Sequence, residues 1–318
     1  MKLLVIGGTG FFGKAILDFH KRFNLKKYGI SELIITARNT KIFLKKFPEL
    51  NLEDVKYFDI DILNAKKLPD SDLIIFSATT STKKNIKEAK ENYDKTILGV
   101  KNLISILCKK NKIKLIFCSS GAVYGSNNGE VPFEENYKSM NYEAFDISRK
   151  LYAKSKIKSE DLLAKFSKES NNTIISARCF SFFGKYLPID KHFVIGQMIN
   201  SILAGKELKI NSGRMIYRSF MSSDNLVQSL IDLFSVNNNR FNVFNVGSEN
   251  AYEILEILEK FNLKFDLKFH VGKRNSSNID YYIPNIDKLK KIIKFEVSTL
   301  DEIISQIDLK FYDEKYLC

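Results

Sequence analysis

Three groups of residues in this 318-residue chain have the types and spacing that chemistry needs. The first is V-I-G-G-T-G-F-F-G, Val5 to Gly13. It sets Gly7, Gly10 and Gly13 between a strand-like run and a helical one. A dinucleotide pyrophosphate needs a tight turn, a backbone free of Cβ, and N–H groups at a helix N-terminus. Gly7 suits the turn, Gly10 the close approach and Gly13 the packing of helix on sheet; Thr9, Phe11 and Phe12 complete the candidate loop. The second group is Tyr152-x-x-x-Lys156, where a spacing of four puts both side chains on one helix face. An ammonium beside a phenol favours the phenolate, so a lowered Tyr152 pKa is expected, with proton transfer near neutral pH. Of the 14 tyrosines, only Tyr152 has a Lys four residues on. The third is C-S-S-G-A-V-Y-G, Cys118 to Gly125. It brings Ser119 and Ser120 out at a strand end, where a hydroxyl can donate to a carbonyl oxygen or orient the Tyr152 phenol. A nucleophilic serine would need a histidine base, and none is near in sequence.

The end of the second strand bears on the cofactor. An Asp or Glu there would accept from the ribose 2′-hydroxyl of NAD. The chain has Thr36-Ala37-Arg38 instead. A guanidinium without a carboxylate suits a 2′-phosphate, so NADP is the expected cofactor and NAD the alternative.

Hydrophobic periodicity supplies the elements that must position these groups. Lys2–Ile6, Leu33–Ala37, Val55–Asp59, Leu73–Ser77, Lys114–Cys118 and Thr173–Cys179 read as strands. Phe11–Arg22, about Asn85–Lys110 and about Ile147–Ser167 read as helices between them. Alternating strands and helices imply a parallel sheet with right-handed crossovers. The expected fold is α/β: a Rossmann-type doubly wound sheet with a smaller C-terminal α+β substrate lobe. Residues 1–180 would form the dinucleotide domain, with 222–247 returning to it, and 181–318 the substrate lobe. After residue 180 helices fit Phe193–Ala204 and Asp224–Phe234. Short strands fit Leu208–Ile210, Ile216–Met221 and Val243–Val246. The last 70 residues read as a helix, a strand, a loop and two more helices.

Composition narrows the classes. Hydrophobic residues make up 44% and charged residues 27%, with only 15 Gly and 5 Pro, which excludes collagen-like and broadly disordered chains. No run of about 18 apolar residues is present, so no membrane span is expected. The apolar start, Met1 to Ile6, is too short for a signal-peptide core, so a cytoplasmic protein is expected. Cys108, Cys118, Cys179 and Cys318 include no C-x-x-C pair, and no histidine has metal-ligand spacing. The net charge of +13 comes mostly from scattered Lys. With no nucleic-acid-binding signature to go with it, no nucleic-acid partner is expected.

Together the motifs resemble those of the extended short-chain dehydrogenases/reductases, in the nucleotide-sugar epimerase/dehydratase family. The resemblance spans nearly the whole chain. It rests on the glycine loop, Asp61-Ile62, Ser77-Ala78, S-S-x-x-V-Y-G at 119–125 and Tyr152/Lys156. It also rests on A-R-C-F-S-F-F-G at 177–184, R-S-F-M-S-S-D-N-L at 218–226 and F-N-V-G-S at 244–248. It implies a catalytic trio of Ser120, Tyr152 and Lys156. The implied cofactor contacts come from the glycine loop, Arg38, Asp61, Ile62, Ser77, Ala78, Thr79, Tyr152 and Lys156. Ser119, Ser120, Ser181, His192 and Arg218 would face a nucleotide-diphosphate sugar, with Arg218 on the diphosphate or, in a purely bracing role, paired with Asp224. Gly121 and Ala122 stand where the family's dehydratases carry an Asp-Glu pair, so dehydration is not expected. GDP-fucose synthases use a Cys where this chain has Gly121, so double epimerisation is not expected either. NADPH-dependent reduction of a 4-keto-6-deoxy sugar nucleotide is the leading expectation, and C4 epimerisation with tightly bound NAD the alternative. A non-enzymatic NADP-binding regulator is a distant third. A homodimer is expected through apolar faces that include Ile97, Ile104, Leu151 and Leu162.

Overall fold

The computed structural model describes residues 1–79, 85–127, 129, 131–137, 141–189, 193–237 and 240–317. Seven parallel strands form the main sheet: β1 (Lys2–Ile6), β2 (Glu32–Ala37), β3 (Val55–Asp59), β4 (Leu73–Phe76), β5 (Lys114–Ser120), β6 (Thr173–Cys179) and β11 (Phe241–Val246). Their order is β11-β6-β5-β4-β1-β2-β3. The chain runs outward from β1 to β3, then returns to place β4 on the other side of β1. At such a reversal the crossovers leave in opposite directions and open a crevice at the carboxyl ends of the strands.

Side-chain alternation along β1 divides the core in two. Leu3 and Val5 face α1 (Phe11–Phe23) and join Ala15, Ile16 and Phe19 in one buried cluster. Leu4 and Ile6 face the opposite way. They meet Val100, Leu103 and Leu107 of α3 (Ile86–Leu107) and Leu163 and Phe166 of α4 (Ile147–Glu169). Strands buried on both faces explain why the sequence shows continuous apolar runs here rather than alternation. A short α2 (Thr40–Lys46), capped by the Asn39 side chain, links β2 towards β3 and was not legible in the sequence.

The remaining elements build the smaller lobe and tie it back. A two-stranded sheet pairs β7 (Phe182–Phe183) with β10 (Met221–Ser222), and a second pairs β8 (Leu208–Ile210) with β13 (Phe269–Val271). A third places β9 (Arg214–Arg218) between β12 (Tyr252–Glu253) and β14 (Asn275–Tyr282). The strand expected at Ile216–Met221 is therefore two strands, interrupted at Ser219 and Phe220. The helices of this region are α5 (Val194–Leu203), α6 (Ser223–Leu233), α7 (Ile254–Phe265), α8 (Asp287–Lys290), α9 (Leu300–Ser305) and α10 (Leu309–Tyr312). The C-terminal 70 residues thus hold more elements than expected, because β14 has no clean period-2 pattern. Helix α6 packs against α1, where Arg22 pairs with Asp224. No described helix is long and apolar enough to cross a membrane.

Candidate active site

The glycine loop joins β1 to α1 at the crevice. Gly7 has φ +87°, and a Cβ there would lie 2.6 Å from the Ala78 nitrogen. Glycine is required twice over, by the left-handed backbone and by the close approach of the chain after β4. The Gly7 and Gly8 amides both donate to the Thr36 carbonyl, at 3.2 and 3.0 Å. Beside the loop lies a cleft of about 240 Å³. Gly7, Thr9, Gly10, Arg38, Asp61, Ile62, Ser77, Ala78 and Thr79 all line it. These residues come from four separate strand ends, so the sheet reversal has assembled a single cleft from distant sequence. The absent Cβ atoms and the α1 N-terminus suit a pyrophosphate. Exposed Arg38 stands at the cleft with no carboxylate at the end of β2. The nearby Asp59 carboxylate is occupied by the Thr40 amide and hydroxyl, both at 2.7 Å.

Three expected cofactor residues sit differently. The Phe11 ring stacks on Phe182 at 4.8 Å, and Phe12 meets the same ring edge-on at 5.3 Å. Their side chains therefore fasten α1 to β7. Gly13 packs against the backbone of Gly8, so its role is to close the loop rather than line the cleft.

Lys156 is 1% exposed. Its ammonium donates to the Thr79 hydroxyl at 2.8 Å and to the Cys118 carbonyl at 2.7 Å. Burial lowers its pKa to about 8. Its nitrogen lies 5.6 Å from the centre of the Tyr152 ring. Ser120 ends β5, accepts from the Ala122 amide at 3.2 Å, and hydrogen-bonds to the Tyr152 phenol. The expected lowering of the Tyr152 pKa is corrected by this geometry. Burial pushes Tyr152 well above the ordinary phenol range, opposed by the Ser120 bond, and Lys156 gives two of its three N–H donors to Thr79 and Cys118. As the structure stands, burial favours the neutral phenol at Tyr152.

The substrate-side expectations divide. Adjacent strand residues point to opposite faces, so Ser120 meets Tyr152 while Ser119 turns inward. The Ser119 hydroxyl donates to Glu160 at 2.6 Å and is 3% exposed, which removes it from any substrate surface. The carbonyl of Ser181 accepts from the Met221 amide at 3.1 Å and joins β7 to β10. His192 lies outside the described residues. Arg218 is paired with Asp280 through two contacts of 2.9 and 3.3 Å, not with Asp224.

Two residues near the trio were missed in the sequence. The Tyr282 phenol also hydrogen-bonds to Ser120, and burial pushes it up to about 12. Its hydroxyl would lie 2.6 Å from a Cβ at position 121. Gly121 is therefore the residue that admits Tyr282, and there is no room for the side chain that the family's dehydratases carry at that position. Arg149 lies three residues before Tyr152 on α4, with its guanidinium carbon 3.8 Å over the Phe145 ring. Strand β14 brings Tyr282 in from the far end of the chain, so no local pattern announced it. The Arg149–Tyr152 spacing of three was readable. Asn92, Lys95 and Thr96 of α3 also line the cleft, and their spacing on one helix face was the available signal.

Fold and site define a doubly wound nucleotide-binding protein with a Ser–Tyr–Lys cluster at the carboxyl edge of its sheet. The profile of the NAD dependent epimerase/dehydratase family matches residues 3–247, and the chain belongs to that family. It is 30% identical over 275 residues to the ADP-L-glycero-D-manno-heptose-6-epimerase of Brachyspira hyodysenteriae, covering 80% of this chain and 78% of that one. It is 24% identical over 343 residues to the UDP-glucose 4-epimerase of Mycoplasma genitalium, covering 99% and 97%. Its fold superposes with a TM-score of 0.80 on the Bacillus cereus UDP-glucuronic acid 4-epimerase in complex with UDP-glucuronic acid and NAD. That match has 19% identity and covers 99% of this chain and 100% of the other.

The Lys156 shift sets a stability window. With a folded pKa of about 8 against an ordinary 10.5, the unfolded chain holds the extra proton between those values. Stability from this group is therefore present above 10.5 and lost as pH falls through 8. The slope is at most about 1.4 kcal/mol per pH unit. Urea unfolding from pH 7.5 to 10.5 should show wild type gaining on Lys156→Met as pH rises. A constant difference between the two proteins would remove the buried-ammonium account.

Proposed function

We propose that this protein is a nucleotide-sugar epimerase that inverts one sugar carbinol while retaining its nicotinamide cofactor. The observation that carries this reading is the hydrogen bond between Ser120 and Tyr152 beside a buried ammonium, with Tyr282 filling the space over Gly121. Tyr152 is then the proton carrier of the site. Elimination, or inversion next to a carbonyl, calls for a stronger base beside Ser120, and the space over Gly121 is filled instead by the Tyr282 phenol, which burial keeps neutral. The likeness to epimerases supports the same choice. The expected 4-keto reduction, which needs the same trio, takes second place.

A nicotinamide dinucleotide, which Gly7, Gly10, Arg38 and Thr79 of the cleft would hold, would supply reversible hydride acceptance from the sugar carbon. The chain's own residues manage the proton. Oxidation of the carbinol would pass its hydroxyl proton to Tyr152 as phenolate, and re-forming the carbinol would return that proton from the Tyr152 phenol, so the proton balances within one turnover. The Lys156 ammonium, one helical turn away, is the positive charge that stabilises the phenolate. Ser120 joins the Tyr152 and Tyr282 phenols, giving a line of hydroxyls along which a proton can shift. Ser120 also offers a hydroxyl to the sugar oxygen. In the smaller lobe, Arg218 keeps donors that Asp280 leaves free, which suits a diphosphate. A second cavity of about 570 Å³, lined by Met215, Leu255, Phe269, Val271, Gly272 and Arg274, suits a planar base.

Tyr152→Phe removes the proton carrier without touching the glycine loop. Turnover of nucleotide sugar, followed by NMR of the inverted product, should fall about 10²–10⁴-fold with cofactor affinity retained. A variant that keeps more than half the wild-type rate would sink the assignment.

Arg38 supports an NADP preference. Calorimetry should find NADP(H) bound more tightly than NAD(H), and Arg38→Ala should erase most of the difference. Equal affinity of the wild type for both would leave Arg38 an ordinary surface residue.

A second copy of the chain is the partner this reading adds. Ile104 and Leu162 are partly committed to the internal core, but Leu98 and Ile147 on α3 and α4 are 51% and 47% exposed. Two such helix pairs can close a four-helix bundle. Light scattering at micromolar concentration should return twice 36.6 kDa; a monomer mass would reject the dimer.

A further inference from the structure

Arg149 is the third residue of α4, so its side chain shares a helix face with Tyr152 one turn on. Its guanidinium covers the Phe145 ring. Phe145 forms, with Ala122 and Ala153, the small buried cluster against which Tyr152 packs. Arg149 also interacts electrostatically with Tyr282, Asp280 and Arg218 of the smaller lobe. Arg149 thus stands where the two lobes meet at the proton carrier. None of the acids around it is available. Asp280 is committed to Arg218, and Asp146 caps the helix through the Arg149 amide at 2.7 Å. Among the described residues no carboxylate pairs with the Arg149 guanidinium and no acceptor hydrogen-bonds to it.

An arginine does not shed its charge, and a partly buried cation without a partner costs free energy until an anion meets it. Burial indeed pulls the Arg149 guanidinium below its ordinary range. A planar fork already stacked on an aromatic ring presents its remaining donors in the geometry of a carboxylate. We propose that Arg149 receives a carboxylate carried by the sugar beside the reacting carbon, so that the substrate is a nucleotide-linked uronic acid. This rests on the reading of the site as a nucleotide-sugar epimerase. Position argues for a sugar carboxylate over the diphosphate. Arg149 is one helical turn from Tyr152, which meets the reacting carbon. Arg218 at the end of β9 and Arg274 just before β14 belong to the lobe that would hold the nucleotide.

The test is calorimetry on the cofactor-loaded protein with UDP, ADP, and UDP- and ADP-linked glucose and glucuronic acid. Wild type should bind the acidic sugar of one nucleotide series about tenfold or more tightly than its neutral counterpart, a difference of about 1.4 kcal/mol. Arg149→Ala should collapse that preference to about twofold or less, and Arg149→Lys should restore part of it, since the charge returns without the fork. The restoration by Lys guards against a loss due only to misfolding. Two results overturn the proposal while sparing the epimerase: equal affinity of wild type for acidic and neutral sugars, or an Arg149→Ala loss of the same factor for the nucleotide alone and both of its sugars. The second would assign Arg149 to the diphosphate. Failure of every one of these ligands to bind would overturn the epimerase reading and this proposal together.

Discussion

A lysine ammonium with almost no contact with water must be held by hydrogen bonds, or it loses its proton. Lys156 meets this constraint with one side-chain hydroxyl, from Thr79 after β4, and one main-chain carbonyl, from Cys118 within β5. Those two bonds tie α4 to the carboxyl edges of two adjacent strands. They therefore set the height of α4 on the sheet, and with it the position of Tyr152 one turn earlier. Ser120, two residues beyond Cys118, falls within reach of the phenol because the same strand anchors the ammonium. The cleft lined by Thr79 and the proton carrier on α4 are joined through this one buried charge.

The other face of the same strand carries a complementary device. Glu160, one turn after Lys156, accepts from Ser119 at 2.6 Å and Ser176 at 2.8 Å and pairs with Arg178 at 2.7 Å. These partners come from β5 and β6, so α4 is pinned to the sheet from both sides of Lys156. A buried carboxylate satisfied this fully is costly to disturb. Gly121 then completes the site by omission. Without a Cβ it lets β14 deliver Tyr282 to Ser120, and the chain's distant third of sequence joins the Ser120–Tyr152 cluster.

What the sequence made legible follows from how local each feature is. The strand–glycine loop–helix unit and the Tyr152/Lys156 spacing are local, and both stand as read. The doubly wound sheet followed from apolar runs alternating with helical ones. Ser119 was misread because two adjacent serines at a strand end look equivalent until the pleat assigns them opposite faces. The loop motif shows Phe11 and Phe12, but not the packing of their rings, because their partner, Phe182, lies about 170 residues away in sequence. The Tyr152 pKa was misread for a different reason. The spacing of Lys156 is visible in the sequence, but the burial that favours the neutral phenol at Tyr152 is not. Tyr282 and the Arg218–Asp280 pair depend on β14, whose polar start, Asn275-Ser276-Ser277-Asn278, gives no strand signal. Its pairing with β9 is tertiary.

The central claim is that one sugar carbinol is oxidised and re-formed at Tyr152 with its own hydrogen returned. The most direct measurement uses a nucleotide sugar deuterated at the inverted carbon, turned over in ordinary water, with the product read by NMR and mass spectrometry. The account requires the deuterium to remain on that carbon in the epimer, because the hydrogen never enters solvent. Loss of the label to water would mean inversion by deprotonation beside a carbonyl, and would contradict the role given to the Ser120–Tyr152–Lys156 cluster.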